Sequence, residues 1–144
     1  MFPHVVTLYN TKENLVTFKA ENNITILRGV LLDATKAANV NTSGLEGADS
    51  VNLYIPFSVE AIDGISFLPK NYVSPKTYET EERKDLVWTL EVGDECFFVK
   101  GEAVEPSLTF QQINAKYDSV HTVTKVDMKD FGAPDMEHWE VGGA

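Results

Sequence analysis

Short runs of β-branched and aromatic residues, each cut off by Gly, Pro, Asn or Asp, recur along the whole chain. HVVTLYN (residues 4–10), LVTFKA (15–20), ITILRGVLLDA (24–34), VNLYIPFSV (51–59), LVWTLE (86–91), CFFVKGEAV (96–104), VHTVTKVDM (120–128) and EHWEV (137–141) share this texture. Rough alternation puts successive side chains on opposite faces, so each run can bury one face and wet the other. One segment differs. In SLTFQQINAKYD (107–118), Phe110, Ile113 and Tyr117 recur at three and four residues, with Ser107 or Thr109 available as a cap. That spacing predicts a helix. About eight strands and one short helix, with frequent turns, predict a mainly β chain folded as a small antiparallel β barrel or sandwich.

The punctuation sets the expected connections. NTKEN (10–14) reads as a turn that makes the first two runs a hairpin, and ENN (21–23) as a second break. Gly29 inside a strand pattern predicts a bulge or sharp bend, as at a barrel corner. Pro56 marks a strand end or an edge. VGDE (92–95) reads as the turn of a hairpin between LVWTLE and CFFVKGEAV, and DFGAPD (130–135) as the last turn. Two stretches lack the strand texture and are expected as long projecting loops. Residues 34–50 are small, polar and glycine-bearing, and 66–85 carry prolines and the charge run ETEERKD.

Length fits one domain, 1–144, large enough to bury a core without staples. The formal net charge of −10 argues against a basic nucleic-acid face and against anionic membranes, and suits protein partners with basic patches. The single cysteine, Cys96, excludes an internal disulfide and sits in an apolar run, as a buried small hydrophobe would. The opening MFPHVVTLYN has neither a basic start nor an apolar h-region, and no run reaches membrane-helix length, so a cytoplasmic protein is expected.

No pattern for catalysis emerges. His4, His121 and His138 lack the spacing of a zinc site. No GxSxG elbow is present, and SGLEG (43–47) is not a phosphate loop. Asp127, Asp130, Asp135, Glu137 and Glu140 cluster without EF-hand spacing, and read as a solvated surface or one facing a basic partner. No metal, cofactor or enzymatic activity is expected. Trp139, so close to the end, is expected to anchor the last strand in the barrel, with an arm docked on a partner as the other option.

MFPHVVTLYN, LRGVLLDA, VNLYIPF, WTLEVGDECFFVKGE and HTVTKVDMKDFG…HWEVGGA together resemble small structural proteins of prophages and tailed phages of Gram-positive hosts. The order of elements also resembles the head-closure, or stopper, proteins of the phage neck, head–tail connector subunits with a β-barrel body. The resemblance implies a non-enzymatic virion protein that assembles as a ring at the neck, with other copies of itself and other neck or tail proteins as partners. It would stay in the host cytoplasm until assembly and then in the virion. It implies no sequence-specific nucleic acid and no membrane. Direct DNA contact is not expected, because loop 34–50 holds only Lys36 as a cation. Loops 34–50 and 66–85 become contact loops and 137–144 a docking strand. The interface candidates are Asn41, Ser43, Leu45, Glu46, Lys70, Tyr72, Tyr78, His138, Trp139 and Val141. Tail completion or another minor capsid role would suit the same features. A small-ligand or carbohydrate-binding β module is the alternative of a different kind, with Tyr54, Tyr72, Tyr78 and Trp88 as its groove.

Overall fold

The computed structural model describes residues 3–14, 19–34, 50–130, 132 and 136–144. In chain order the elements are β1 (His4–Asn14), β2 (Lys19–Ala34), β3 (Val51–Pro56), β4 (Glu60–Asp63), β5 (Asn71–Tyr72), α1 (Pro75–Thr80), a 3-10 turn (Lys84–Leu86), β6 (Val87–Trp88), β7 (Gly93–Lys100), α2 (Phe110–Lys116), β8 (Val120–Lys129) and β9 (His138–Gly143). The main sheet runs β1-β7-β8-β9-β3-β2, and β2 pairs back onto β1. All these pairings are antiparallel, so six strands form a barrel-like ring, the mainly β architecture that the alternating runs predict.

The long β2 makes the ring possible. One edge of it pairs with β1, from His4↔Val30 to Asn14↔Lys19. The other edge pairs first with β4, Thr25↔Asp63 to Arg28↔Glu60, and then with β3, Leu31↔Tyr54 to Ala34↔Val51. Between Val5↔Arg28 and His4↔Val30 the register slips by one residue at Gly29, whose φ is +85°. A side chain there would be strained, and the bulge bends β2 so that it can turn the barrel corner.

The runs that look uniformly apolar are buried on both faces. Leu8 of β1 and Phe98 of β7 lie in the barrel interior with Leu27, Leu53, Trp88 and Val141. Their neighbours Tyr9 and Phe97 point outward and stack at 4.7 Å under α2, whose Ile113 is fully buried. Thus α2 covers the outer face of β1 and β7. Its start is fixed by a capping box, in which Gln112 N–H donates to Thr109 Oγ1 and Thr109 N–H donates to Gln112 Oε1.

Three expectations are corrected. β1 continues through Asn14 and β2 is continuous from Lys19, so neither NTKEN nor ENN breaks the chain. On this two-stranded ribbon polar side chains bond across the pair, as Thr11 Oγ1 does to Asn22 Oδ1 at 2.6 Å. LVWTLE and CFFVKGEAV do not form a hairpin. β6 pairs with β5 in parallel, while β7 pairs with β1 and β8. Segment 66–85 is no projecting loop; it contains β5, α1 and the start of the 3-10 turn, and folds back over one end of the barrel.

Candidate functional site

Val51 is the point from which the candidate contact region is organised. It is the cross-strand partner of Ala34 on β2 and of Gly143 on β9. The two flanks of segment 35–49 therefore pair with each other on one rim of the barrel, where Val51 also meets the C-terminal strand. The terminus is tied down there, because Thr122 and Ala144 exchange two backbone hydrogen bonds of 3.1 Å. A Cβ at Gly143 would lie 2.8 Å from Phe98 Cζ and 2.9 Å from Val51 Cγ2. The closing glycine lets β9 press against the wall of the barrel. Asn41, Ser43, Leu45 and Glu46 lie outside the described residues; what is fixed is where their segment leaves and rejoins the sheet.

The other candidates divide by burial. Trp139 and Val141 face the barrel interior, only 5% and 1% exposed, so β9 is a core strand and not a free docking arm. The Trp139 ring contacts Phe57 at 4.4 Å, Tyr72 at 4.6 Å and Trp88 at 5.4 Å. His138 is half-buried at the other end of β9. Its Nε2 lies 3.3 Å from Glu140 Oε1, and its ring is tilted against Tyr54 at 6.0 Å.

The sequence pattern places Lys70, Tyr72 and Tyr78 on a projecting loop, and the structure buries much of them. The Lys70 side chain is 0% exposed; its Nζ donates to Asn23 Oδ1 at 2.8 Å and lies 3.7 Å from Asp63 Oδ1. Burial drives its pKa down to about 8, against the opposing pull of Asp63. Tyr72 packs in the aromatic cluster with Trp88 and Trp139. Tyr78 accepts a hydrogen bond from Asn23 Nδ2 at 3.0 Å, and burial raises its pKa. With Trp88 buried among these rings, the four aromatics proposed for a sugar groove do not form one exposed platform.

A cleft of about 680 Å³ lies between the far end of the β1–β2 ribbon and α1. Its asparagines are structural clamps. Asn10 bonds the backbone of Thr89 in both directions, and Asn23 joins Tyr78, Val87 and Lys70. Lys84 donates to the carbonyls of Tyr78 and Glu81 at 2.8 Å, closing the C-terminal end of α1. Glu79, Glu91 and Glu95 give the rim an acidic character. Cys96 lies behind this wall, 2% exposed, with burial pushing its thiol up to about 12, so it stays protonated and inert. His4 serves the fold, its Nδ1 accepting from Leu32 N–H at 2.9 Å. Among the described residues no three His, Cys, Asp or Glu converge to hold a metal ion, and no helix is long and apolar enough to cross a membrane.

The Asn10, Asn22 and Asn23 clamps and the Asp63–Lys70 pair have no pattern in the sequence. Their partners are far along the chain. The doubled asparagine in ENN is a local signal, and it is equally the signal of a turn.

No curated protein and no solved structure matches the chain. A family described as "Family of unknown function (DUF6751)" matches residues 2–144. That match spans the ribbon, the barrel and the closing strand together, and the chain belongs to this family.

Proposed function

We propose that this chain is a non-enzymatic structural subunit of a tailed-phage or prophage particle, a head–tail connector of the head-closure kind that works as one member of a ring. The resemblance of the sequence to that class brings the reading. The observation that carries it is the shared rim, where Ala34, Val51 and Gly143 lie side by side. A 15-residue polar insert, 35–49, leaves and returns at that one rim. A rigid body with one large insert at one end is suited to meeting neighbours in an assembly. The net charge of −10 favours basic protein surfaces and disfavours a grip on DNA phosphates.

Deleting the gene from an inducible prophage tests this. The reading expects heads that fail to retain DNA beside free tails, with complementation by the intact chain. Normal, infectious particles from the deletion strain would contradict it.

A further inference from the structure

Three polar side chains from separate parts of the chain meet beside β2: Asn23 of β2 itself, Asp63 at the end of β4, and Lys70 just before β5. The Lys70 side chain is fully buried. Its Nζ lies 2.8 Å from Asn23 Oδ1 and 3.3 Å from Ile24 O, but 3.7 Å from Asp63 Oδ1. A plain buried ion pair would put the carboxylate in contact with the ammonium. Here the amide is the closer group and the carboxylate stands one step back. The amide is fixed in this sense. Its Nδ2 faces Val87 O at 3.1 Å, an atom that only accepts, so Oδ1 is the atom offered to Lys70.

A desolvated lysine amine is a nucleophile, and the amide carbon beside it is an electrophile. Asn23 Cγ is one C=O bond, about 1.2 Å, beyond Oδ1. A small turn of the side chain brings it to the roughly 3–3.5 Å of a near-attack geometry. Burial lowers the pKa of Lys70 to about 8, against the pull of Asp63, so neutral amine is present near physiological pH. Asp63 is held ready as a base. Its Oδ2 accepts from Ile65 N–H, Ser66 N–H and Ser66 Oγ–H at 2.9, 2.7 and 3.1 Å, which leaves Oδ1 for Lys70. The same turn keeps Phe67 at φ +60°, a strained value for a bulky side chain, and strain of this kind gathers at sites of function. The leaving side is prepared too. Asn23 Nδ2 is 3.0 Å from Tyr78 Oη, and both residues line the cleft of about 680 Å³.

We propose that Asn23 and Lys70 join in an intramolecular isopeptide bond, with Asp63 as the base. Asp63 takes one proton from the Lys70 ammonium. The freed lone pair of Nζ attacks Asn23 Cγ and the Nζ–Cγ bond forms. The tetrahedral carbon then expels Nδ2 as the Cγ–Nδ2 bond breaks. Of the three protons on the Lys70 ammonium, one stays on the new amide and two leave with Nδ2 as an ammonium ion. Asp63 ends as the carboxylate it began as, and no oxidant, reductant or cofactor takes part. The product removes a buried charge, whose desolvation is costly. Its one N–H has Ile24 O and Asp63 Oδ1 as acceptors.

The bond links residues 47 apart and closes a covalent ring that contains the insert 35–49, β3 and β4. It staples β2 to the segment that folds over the end of the barrel. A cross-link restricts the unfolded chain, so the linked form melts above the unlinked form of the same sequence. The linked chain has no Lys70 ammonium, and the pH signature of that group belongs to the unlinked chain. The bond concerns one folded chain and stands or falls apart from the connector reading.

The test is intact-mass spectrometry of the denatured full chain, after the folded protein has stood for several days at pH 8, where the Lys70 amine is about half neutral. The linked chain is lighter than its sequence by one ammonia, about 17 Da. Trypsin then leaves peptide 20–28, with Asn23, joined to peptide 37–76, which is uncut at Lys70. Asn23→Asp should join the same peptides with loss of one water instead, about 18 Da. Lys70→Met, shown to be folded by its thermal melt, should keep its full mass. Asp63→Asn, whose amide oxygen can still hold the turn, should lower the linked fraction at least tenfold. A folded native chain that keeps its full mass throughout overturns the proposal. So does a loss of ammonia that leaves 20–28 and 37–76 unjoined, or one that Lys70→Met or Asn23→Asp also shows. Equal linking in Asp63→Asn would overturn the role of Asp63 as the base.

Discussion

The ring of Trp139 lies 4.6 Å from the ring of Tyr72, centroid to centroid. One belongs to the last strand and the other to β5, in the segment that looks most like a loop. With Phe57 and Trp88 they close one end of the barrel and lock the C-terminal strand to the middle of the chain. Trp139→Ala should therefore cost about 3–5 kcal/mol of folding stability, measured by urea denaturation. Trp139 Nε1 is buried without a hydrogen-bond partner among the described residues, so Trp139→Phe should cost clearly less. Equal losses from the two variants would show that the aromatic packing is not what matters.

Gly143 tests how closely β9 is pressed to the barrel wall. A methyl group there meets Phe98, Val51 and His121 at 3.0 Å or less. Gly143→Ala should lower stability by about 1–3 kcal/mol. Gly29→Ala should destabilise for a different reason, since nothing lies within 4 Å of its would-be Cβ and only the positive φ opposes a side chain. Thermal melts of both variants compare a steric penalty with a backbone one.

Lys70 gives the fold a signature in pH. Its folded pKa, about 8, lies below the ordinary value of 10.5. Between those values the unfolded chain binds more protons than the folded one, so this group makes stability rise with pH across that window. Below pH 8 both states are protonated and the contribution is flat. Subtracting the denaturation profile of Lys70→Met from that of the native sequence should leave that rise. A flat difference between pH 7.5 and 10 would mean the ammonium is not buried as described.

The insert should be dispensable for folding. Ala34 and Val51 are already cross-strand partners, so a two-residue Asn-Gly turn can replace 35–50 and close a tight hairpin. We expect the melting temperature to stay within about 4 °C, and incorporation into particles to be lost. Collapse of the barrel on this replacement would assign the insert to the fold.

How far the sequence can be read depends on where a residue's partners lie. Strands with one wet face are legible: Val51, Leu53 and Ile55 alternate with more exposed neighbours, and so do Trp139 and Val141. The cap at Thr109 and the bulge at Gly29 are local events with local signals. The Asn10–Thr89, Asn23–Tyr78 and Asn23–Lys70–Asp63 links are not legible. They bury polar side chains against partners set by topology, so 10–14 and 21–23 look like turns and 66–85 looks like a projecting loop. Among the site candidates, the large area one aromatic can bury points Trp139 to the core, whereas Lys70 looks exposed because its partners Asn23 and Asp63 are brought to it by the fold. The turn at Phe67 shows in sequence only as ISFLP, and its positive φ has no sequence signature.

Immunogold electron microscopy on purified particles from the induced host, with an antibody to this chain, tests the connector account most directly. The account predicts label at the neck, between head and tail. Particles without label, from a lysate that contains the chain, would contradict it.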